Sequence, residues 1–433
     1  MAGNGGYEVD HYDLNLAYAP GKSRLRGVAT ISATATQSLS AFNLDLVGLH
    51  VRSVSVDGAP ARFARGASEL TVTPVVPIAE RARFAVVVTY AGRPQSTRKG
   101  SPYFRTGWIR TDDGAFTLGE PRGAATWFPC NDHPSDKATY RITISVPRHR
   151  TAISNGLLES VSRHRGGRTF VWSGPEPMTT YLAVVAIGRF KLHRSRAVGV
   201  PSLVALDPRV KRLGKGTRRA VNRIPRILAT YGSLFGPYPF SAAGAIVDDD
   251  RTFFFTALET QTRPIFPRPF PSYFTGTMAH ELAHEWFGDA VSLERWSDIW
   301  LNEGFATWAE WFWVARGRDD QLRDIFSLYY ETGAKFRKRF GLRRLWVPVV
   351  PPPPKQLFGA AVYDRGGMTL EALRELVGNT TFLSILRDWV AQHKYGNATT
   401  EQFIALAEQE SGRSLSHFFD VWLRQPGRPG GWS

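Results

Sequence analysis

Thr277-Met278-Ala279-His280-Glu281-Leu282-Ala283-His284-Glu285-Trp286-Phe287-Gly288 is built from helix formers and closes on a glycine stop. It reads as an α-helix. At 3.6 residues per turn His280 and His284 fall about 40° apart on one face. Both imidazoles can then reach one metal ion, and Glu281, beside the first, can reach a water bound to it. A surface helix that carries the three residues by accident is the competing reading, and it asks for no partner elsewhere in the chain.

A catalytic zinc site needs a third protein ligand and one open position, and imidazole with carboxylate is a known donor set. Downstream, Trp300-Leu301-Asn302-Glu303-Gly304-Phe305-Ala306-Thr307-Trp308 supplies Glu303. It sits on a second helix whose return path brings a carboxylate to the open side of the histidine pair. Its neighbours are apolar and aromatic, so an ionised Glu303 buried among them must be paired or coordinated. The two stretches together favour a metal centre. Asp298, about one turn earlier, reads either as an acceptor that orients a ligand or as a helix N-terminal acid.

Around this core the chain has 433 residues, 43% of them hydrophobic and 21% charged, enough to bury a substantial interior. No segment approaches the ~20 apolar residues of a spanning helix, so no membrane span is expected. Cys130 is the only cysteine. An internal disulfide and a thiolate cluster are therefore excluded, which leaves histidines and carboxylates as ligands. The formal charge of +16 comes largely from arginine spread over many segments. In its densest stretch, Arg209 to Arg226, Val221, Ile224, Leu228 and Tyr231 stand at helical spacing. Arg218, Arg219, Arg223 and Arg226 fall mostly elsewhere on the wheel, as on a solvated helix face. No nucleic-acid partner is expected.

From Tyr7 to about Phe190 the pattern is short strands, among them Val28–Thr36, Phe84–Tyr90, Arg141–Val146, Thr169–Trp172 and Tyr181–Ile187. After about residue 195 helical periodicity takes over, at roughly 216–235, 275–290, 297–317, 366–377, 380–393, 400–411 and 415–424, with strands at Ser202–Leu206 and Ala245–Val247. The expected fold class is multidomain α and β. An antiparallel β domain spans 1–194, and a mostly helical domain spans 195–433.

With these residues in place the chain resembles the aminopeptidase N-like gluzincin metallopeptidases. Their signature is His-Glu-x-x-His followed, after eighteen residues, by the glutamate of an Asn-Glu pair; Asn302-Glu303 stands at that distance from His284. Tyr7-Glu8-Val9-Asp10-His11-Tyr12-Asp13-Leu14, Phe128-Pro129-Cys130-Asn131-Asp132-His133-Pro134, Phe235-Gly236-Pro237-Tyr238-Pro239-Phe240 and Phe418-Phe419-Asp420-Val421-Trp422-Leu423 carry the likeness along the whole chain. The resemblance implies a β saddle domain, then a thermolysin-like zinc catalytic domain, in a short two-domain member without the further helical domain of many relatives. It implies one Zn2+ per chain held by His280, His284 and Glu303, with Glu281 as general base. Tyr363, in a segment similar to the family's Tyr-x-Lys-Gly but with Arg365 for lysine, would donate to the substrate oxyanion. Glu259, matching the glutamate of a Gly-x-Met-Glu-Asn strand, and Glu120, ahead of the Phe-Pro-Cys segment, would hold the substrate α-ammonium. Thr256 and Thr260 depart from that strand's glycine and asparagine.

The expected activity is zinc-dependent removal of the N-terminal residue from peptides with a free amino terminus, by a monomer. One alternative is a zinc hydrolase of another substrate, an endopeptidase or epoxide hydrolase, which substrate profiling separates. Another is a peptide-binding protein whose site has decayed, to which Thr256 and Thr260 point and against which the complete ligand set stands. Met1-Ala2-Gly3-Asn4-Gly5-Gly6 shows no basic n-region and no apolar h-region. Secretion after trimming of a signal peptide and a cytoplasmic location are both compatible with that start.

Overall fold

The computed structural model describes residues 3–98, 105–213, 215–250, 257–268, 274–332 and 345–430. Packing divides the chain into two compact units. The first comprises Met1–Ser195, Val200–Arg212 and Phe240–Pro269, and the second Arg196–Gly199, Leu213–Pro239 and Phe270–Ser433. Strands dominate the first and helices the second, as the change of periodicity near residue 195 anticipates. The strands Val200–Leu206, Ala243–Val247 and Ile265–Phe266 nevertheless group with the first unit although they follow that residue.

The first unit is built on an eight-stranded sheet whose central strand Tyr7–Ala19 pairs antiparallel with Arg24–Ala35 and parallel with Lys137–Val146. Its alternating pattern buries Tyr7, Val9, Tyr12, Leu14, Leu16 and Tyr18 on one side, the period-two signature of a sheet with one covered face. Smaller sheets of five and three strands complete the β part. Val200–Leu206, Ala243–Val247 and Ile265–Phe266 run parallel to one another.

In the second unit the helices Ile224–Phe235, Phe274–Ala283, Trp300–Val314, Gly366–Val377, Asn379–His393 and Thr400–Ser411 surround an aromatic interior that includes Trp286, Trp300, Trp308 and Trp389. Tyr231 ties the two central helices together, its hydroxyl lying 3.1 Å from the Ala279 carbonyl and 3.0 Å from that of Ala309. No helix among the described residues is long and apolar enough to cross a membrane.

Three expectations change in detail. The helix read at 216–235 is two, Lys215–Val221 and Ile224–Phe235, because Pro225 has no amide to continue the ladder and sits instead in a first turn. The helix read at 275–290 stops at Ala283. The strand read at Tyr181–Ile187 begins only at Val185, after a 3-10 turn over Thr180–Leu182. There Asn155 takes the backbone, donating to the Leu182 carbonyl at 3.0 Å and accepting from the Val184 amide at 2.8 Å.

Candidate metal centre and its surroundings

The helix Phe274–Ala283 delivers His280, and His284 follows one residue past its end, in a turn. Glu303 lies in the first turn of Trp300–Val314. His280 Nε2 and His284 Nε2 stand 3.2 and 3.4 Å from the same oxygen, Glu303 Oε2. The donor atoms of the three buried side chains all lie within 4.8 Å of one another. His284 Nδ1 is 2.9 Å from the Phe287 carbonyl. A carbonyl only accepts, so Nδ1 carries the proton and the Nε2 lone pair faces the centre.

His280 has a carboxylate at each nitrogen, Glu303 at Nε2 and Glu310 Oε2 at 3.4 Å from Nδ1. Burial disfavours a charged imidazole, yet hydrogen bonds to Glu303 and Glu310, with the charge of Glu281, outweigh it and push the His280 pKa well above its ordinary value. Burial likewise pushes the Glu303 carboxyl up, but hydrogen bonds from His280 and His284 and the charges on both rings bring it down to about 2. Two imidazoles and one carboxylate form a catalytic zinc donor set, and these residues fit it.

Glu310 is absent from the sequence candidates. It stands seven residues after Glu303 on the same helix, hence on the same face about two turns on, and that spacing is the signal that would find it. Gly276 leaves it room, because a Cβ there would lie 2.6 Å from Glu310 Oε1. Asp298 lies in the 3-10 turn Trp296–Asp298, just ahead of the helix Trp300–Val314. It accepts from Thr400 Oγ1 at 2.7 Å and Arg295 Nε at 3.1 Å, and Trp300 Nε1 donates to the same threonine at 2.9 Å. That chain of bonds fixes the start of the Glu303 helix.

Glu281 is buried, with a carboxylate oxygen within 4.8 Å of a ring nitrogen of His284. Tyr363, in the π-helical turn Ala361–Arg365, donates its hydroxyl to Glu303 Oε1 at 2.9 Å. Glycine permits this approach. A Cβ on Gly304 would lie 2.9 Å from the Gly366 backbone, so the two helices cross where neither has a side chain.

In the first unit, Glu120 and Glu259 are both buried and offer oxygens within 4.8 Å of each other. Glu259 belongs to a short hairpin closed by the Leu258–Ile265 bridge. Thr260 Oγ1 donates to the Arg263 carbonyl at 2.6 Å and braces the turn. The threonine that departs from the family strand thus has a structural task. Thr256 lies outside the described residues.

Residues 8–182 match the Peptidase M1 N-terminal domain and residues 272–422 the Peptidase family M1 domain. The chain is 26% identical over 408 residues to tricorn protease-interacting factor F2 of Thermoplasma acidophilum, covering 90% of this chain and 50% of that protein. It is 28% identical to probable aminopeptidase 2 of Sulfurisphaera tokodaii, covering 89% and 50%. It spans about half the length of the curated relatives it matches. Among solved structures, the M1 zinc metallopeptidase of Deinococcus radiodurans superimposes with a TM-score of 0.85 at 29% identity, over 99% of this chain and 96% of that one. A mutant M1 zinc metallopeptidase from the same organism, bound to a Tyr-Ser-Ala substrate, gives 0.87 at 29% identity, over 99% and 97%. Matched in both of its parts and across nearly the whole of a solved relative, the chain belongs to peptidase family M1.

Proposed function

We propose that the chain is a zinc-dependent aminopeptidase in which His280, His284 and Glu303 hold one Zn2+. The observation that carries the reading is the convergence of those three donors, with Glu281 and the Tyr363 hydroxyl at the same centre. Zinc, when bound, polarises the scissile carbonyl and lowers the pKa of a water to about 7. Glu281 takes a proton from the attacking water and returns it to the departing amine, acting as base and then acid. The Tyr363 hydroxyl, which donates to Glu303 here, would turn its proton to the substrate carbonyl oxygen as negative charge builds there. Glu310 holds His280 through Nδ1 and keeps Nε2 directed at the centre. Glu120 and Glu259 are the carboxylates that receive the α-ammonium, through charge-assisted hydrogen bonds that select a free amino terminus.

The decisive experiment pairs metal analysis with rates on aminoacyl anilides. Glu281→Gln is expected to keep stoichiometric zinc and lose roughly 10²–10⁴-fold in kcat. Undiminished turnover would remove Glu281 from the chemistry. Acetylating the substrate amine is expected to abolish cleavage, and equal rates on blocked peptides would make the enzyme an endopeptidase.

A further inference from the structure

We infer that the turn Ser154-Asn155-Gly156 positions the carboxylates that receive the substrate amine, with Asn155 at its centre fixing the backbone beneath Glu120 and Glu259. The inference rests on the reading of that pair as the receptor of the α-ammonium and deepens it, naming what sets their spacing. Asn155 is a positioning residue, acting through the two segments that it joins.

On the Glu259 side the grip is residue by residue. Asn155 Nδ2 donates to the Gln261 carbonyl at 2.8 Å, the Gly156 amide donates to Thr262 Oγ1 at 2.9 Å, and Arg263 Nη1 donates to the Ser154 carbonyl at 2.9 Å. Three consecutive residues thus hold the three that begin two places after Glu259, in the hairpin that carries it. Arg263 is fixed further, its guanidinium 4.9 Å from the centre of the Trp172 ring. Thr262 marks the turn as constrained. It is buried and β-branched yet sits at φ +71°, a left-handed conformation that such residues rarely adopt. Glycine would adopt it without strain, but only the threonine hydroxyl supplies the bond to Gly156.

The same asparagine reaches the Glu120 side. Its Nδ2 also donates to the Leu182 carbonyl at 3.0 Å and its Oδ1 accepts from the Val184 amide at 2.8 Å, so both N–H groups and the oxygen are engaged by backbone. Ser154 Oγ adds a bond to the Val184 carbonyl at 2.6 Å. The Glu120 segment is built on this stretch. Strand Ala115–Leu118 pairs with Val185–Gly188, the Val185 amide donates to Thr117 Oγ1 at 2.9 Å, and a Cβ on Gly119 would collide with the Tyr181 carbonyl. Glu120 follows directly. Two carboxylates with oxygens within 4.8 Å of each other repel when ionised, so each tends to swing away until a cation enters between them. A side chain that bonds the backbone under both holds the pair ready for an ammonium before one binds.

The test measures inhibition of anilide hydrolysis by L-leucine and by 4-methylpentanoate, the same acid without its amine. In the parent, leucine is expected to bind more tightly, and the ratio of the two inhibition constants reads the ammonium site alone. Asn155→Ala is expected to reduce that ratio by roughly tenfold, the scale of one charge-assisted hydrogen bond. Binding of 4-methylpentanoate and zinc content should stay as in the parent, with anilide KM rising more than kcat falls. Thr262→Val keeps the side-chain shape and loses only the bond to Gly156, so a reduction of roughly two- to fivefold is expected. Thr262→Ser, which keeps the hydroxyl, should restore the parent ratio, and this pair carries the comparison if Asn155→Ala does not fold. A general loosening of the structure would weaken both inhibitors alike and overturn the positioning role. A parent ratio retained in folded Asn155→Ala or Thr262→Val overturns the inference and leaves the ammonium reading in place. A parent protein that does not distinguish leucine from 4-methylpentanoate overturns that reading, and the inference with it.

Discussion

His280 has a carboxylate at each nitrogen, Glu303 at Nε2 and Glu310 at Nδ1, and on the proposed zinc reading Glu310 is the one that would orient the ring. Removing such a partner costs about 10–100-fold in metal affinity or activity. Glu310→Gln retains an oxygen acceptor and loses the charge, so zinc affinity is expected to fall toward the low end of that range and Glu310→Ala toward the high end, measured by competition with a chromophoric chelator. Unchanged affinity in both would leave Glu310 without a part in holding the metal. The convergence of His280 and His284 was legible from helical spacing, which puts both rings on one face, whereas that of Glu303 depends on the return of a second helix. Tyr363 was legible only through resemblance, since the approach of its hydroxyl to Glu303 is made by a helix crossing that no local pattern announces. Glu310 was overlooked although its spacing repeats the helix period. Acids on helices are common, and only the structure shows this one meeting an imidazole.

Between residue and whole chain, the crossing at Gly304 and Gly366 sets the distance from Glu303 to Tyr363. Gly304→Ala puts a methyl group 2.9 Å from the Gly366 backbone, and overpacking of this kind costs roughly 1–3 kcal/mol. The expected outcome is a lower Tm together with a fall in kcat, because separating the helices withdraws the tyrosine. A drop in Tm with kcat intact would show that Tyr363 is placed independently. Arg365 secures the same turn from behind. Its guanidinium donates to the carbonyls of Val347, Val421, Trp422 and Gln425 at 2.7 to 2.9 Å, and burial pulls its pKa down to about 10. A lysine has three donors at a point and cannot serve four spread acceptors, which gives a physical reason for arginine where the family pattern has lysine. Helices with strong periodicity, such as Gly366–Val377 and Thr400–Ser411, coincide with their sequence boundaries. Boundaries moved where a side chain competes for the backbone, as Asn155 does near Leu182 and His284 does at Phe287.

At the scale of the molecule, the segment Phe128–Pro134 carried family likeness in the sequence without a role, and the structure gives it one. Asp45 Oδ2 accepts from the amides of Gly3 and Asp132 at 3.1 and 2.9 Å. Asp136 accepts from the Val9 amide at 3.1 Å and from Asn131 Nδ2 at 2.5 Å. These bonds tie the chain's first strand to the loop that follows residue 128, but they gather carboxyls away from water. Burial, reinforced by the charge of Asp45, pushes Asp132 up to about 7, and burial, reinforced by Glu8 and Asp10, pushes Asp136 up to about 7. Both values lie above the unfolded ones, so between about pH 4 and pH 7 the folded chain binds more protons than the unfolded chain, and stability falls as pH rises through that window. The sign is opposite to that of a salt-bridged carboxylate. The parent protein is therefore expected to melt at a lower temperature at pH 8 than at pH 5 through this contribution. Asp136→Asn, which accepts at one atom and carries no charge at either pH, should narrow the gap, chiefly by raising the Tm at pH 8. A gap as wide in the variant as in the parent would assign the pH dependence to other groups and leave the buried acids without a thermodynamic role.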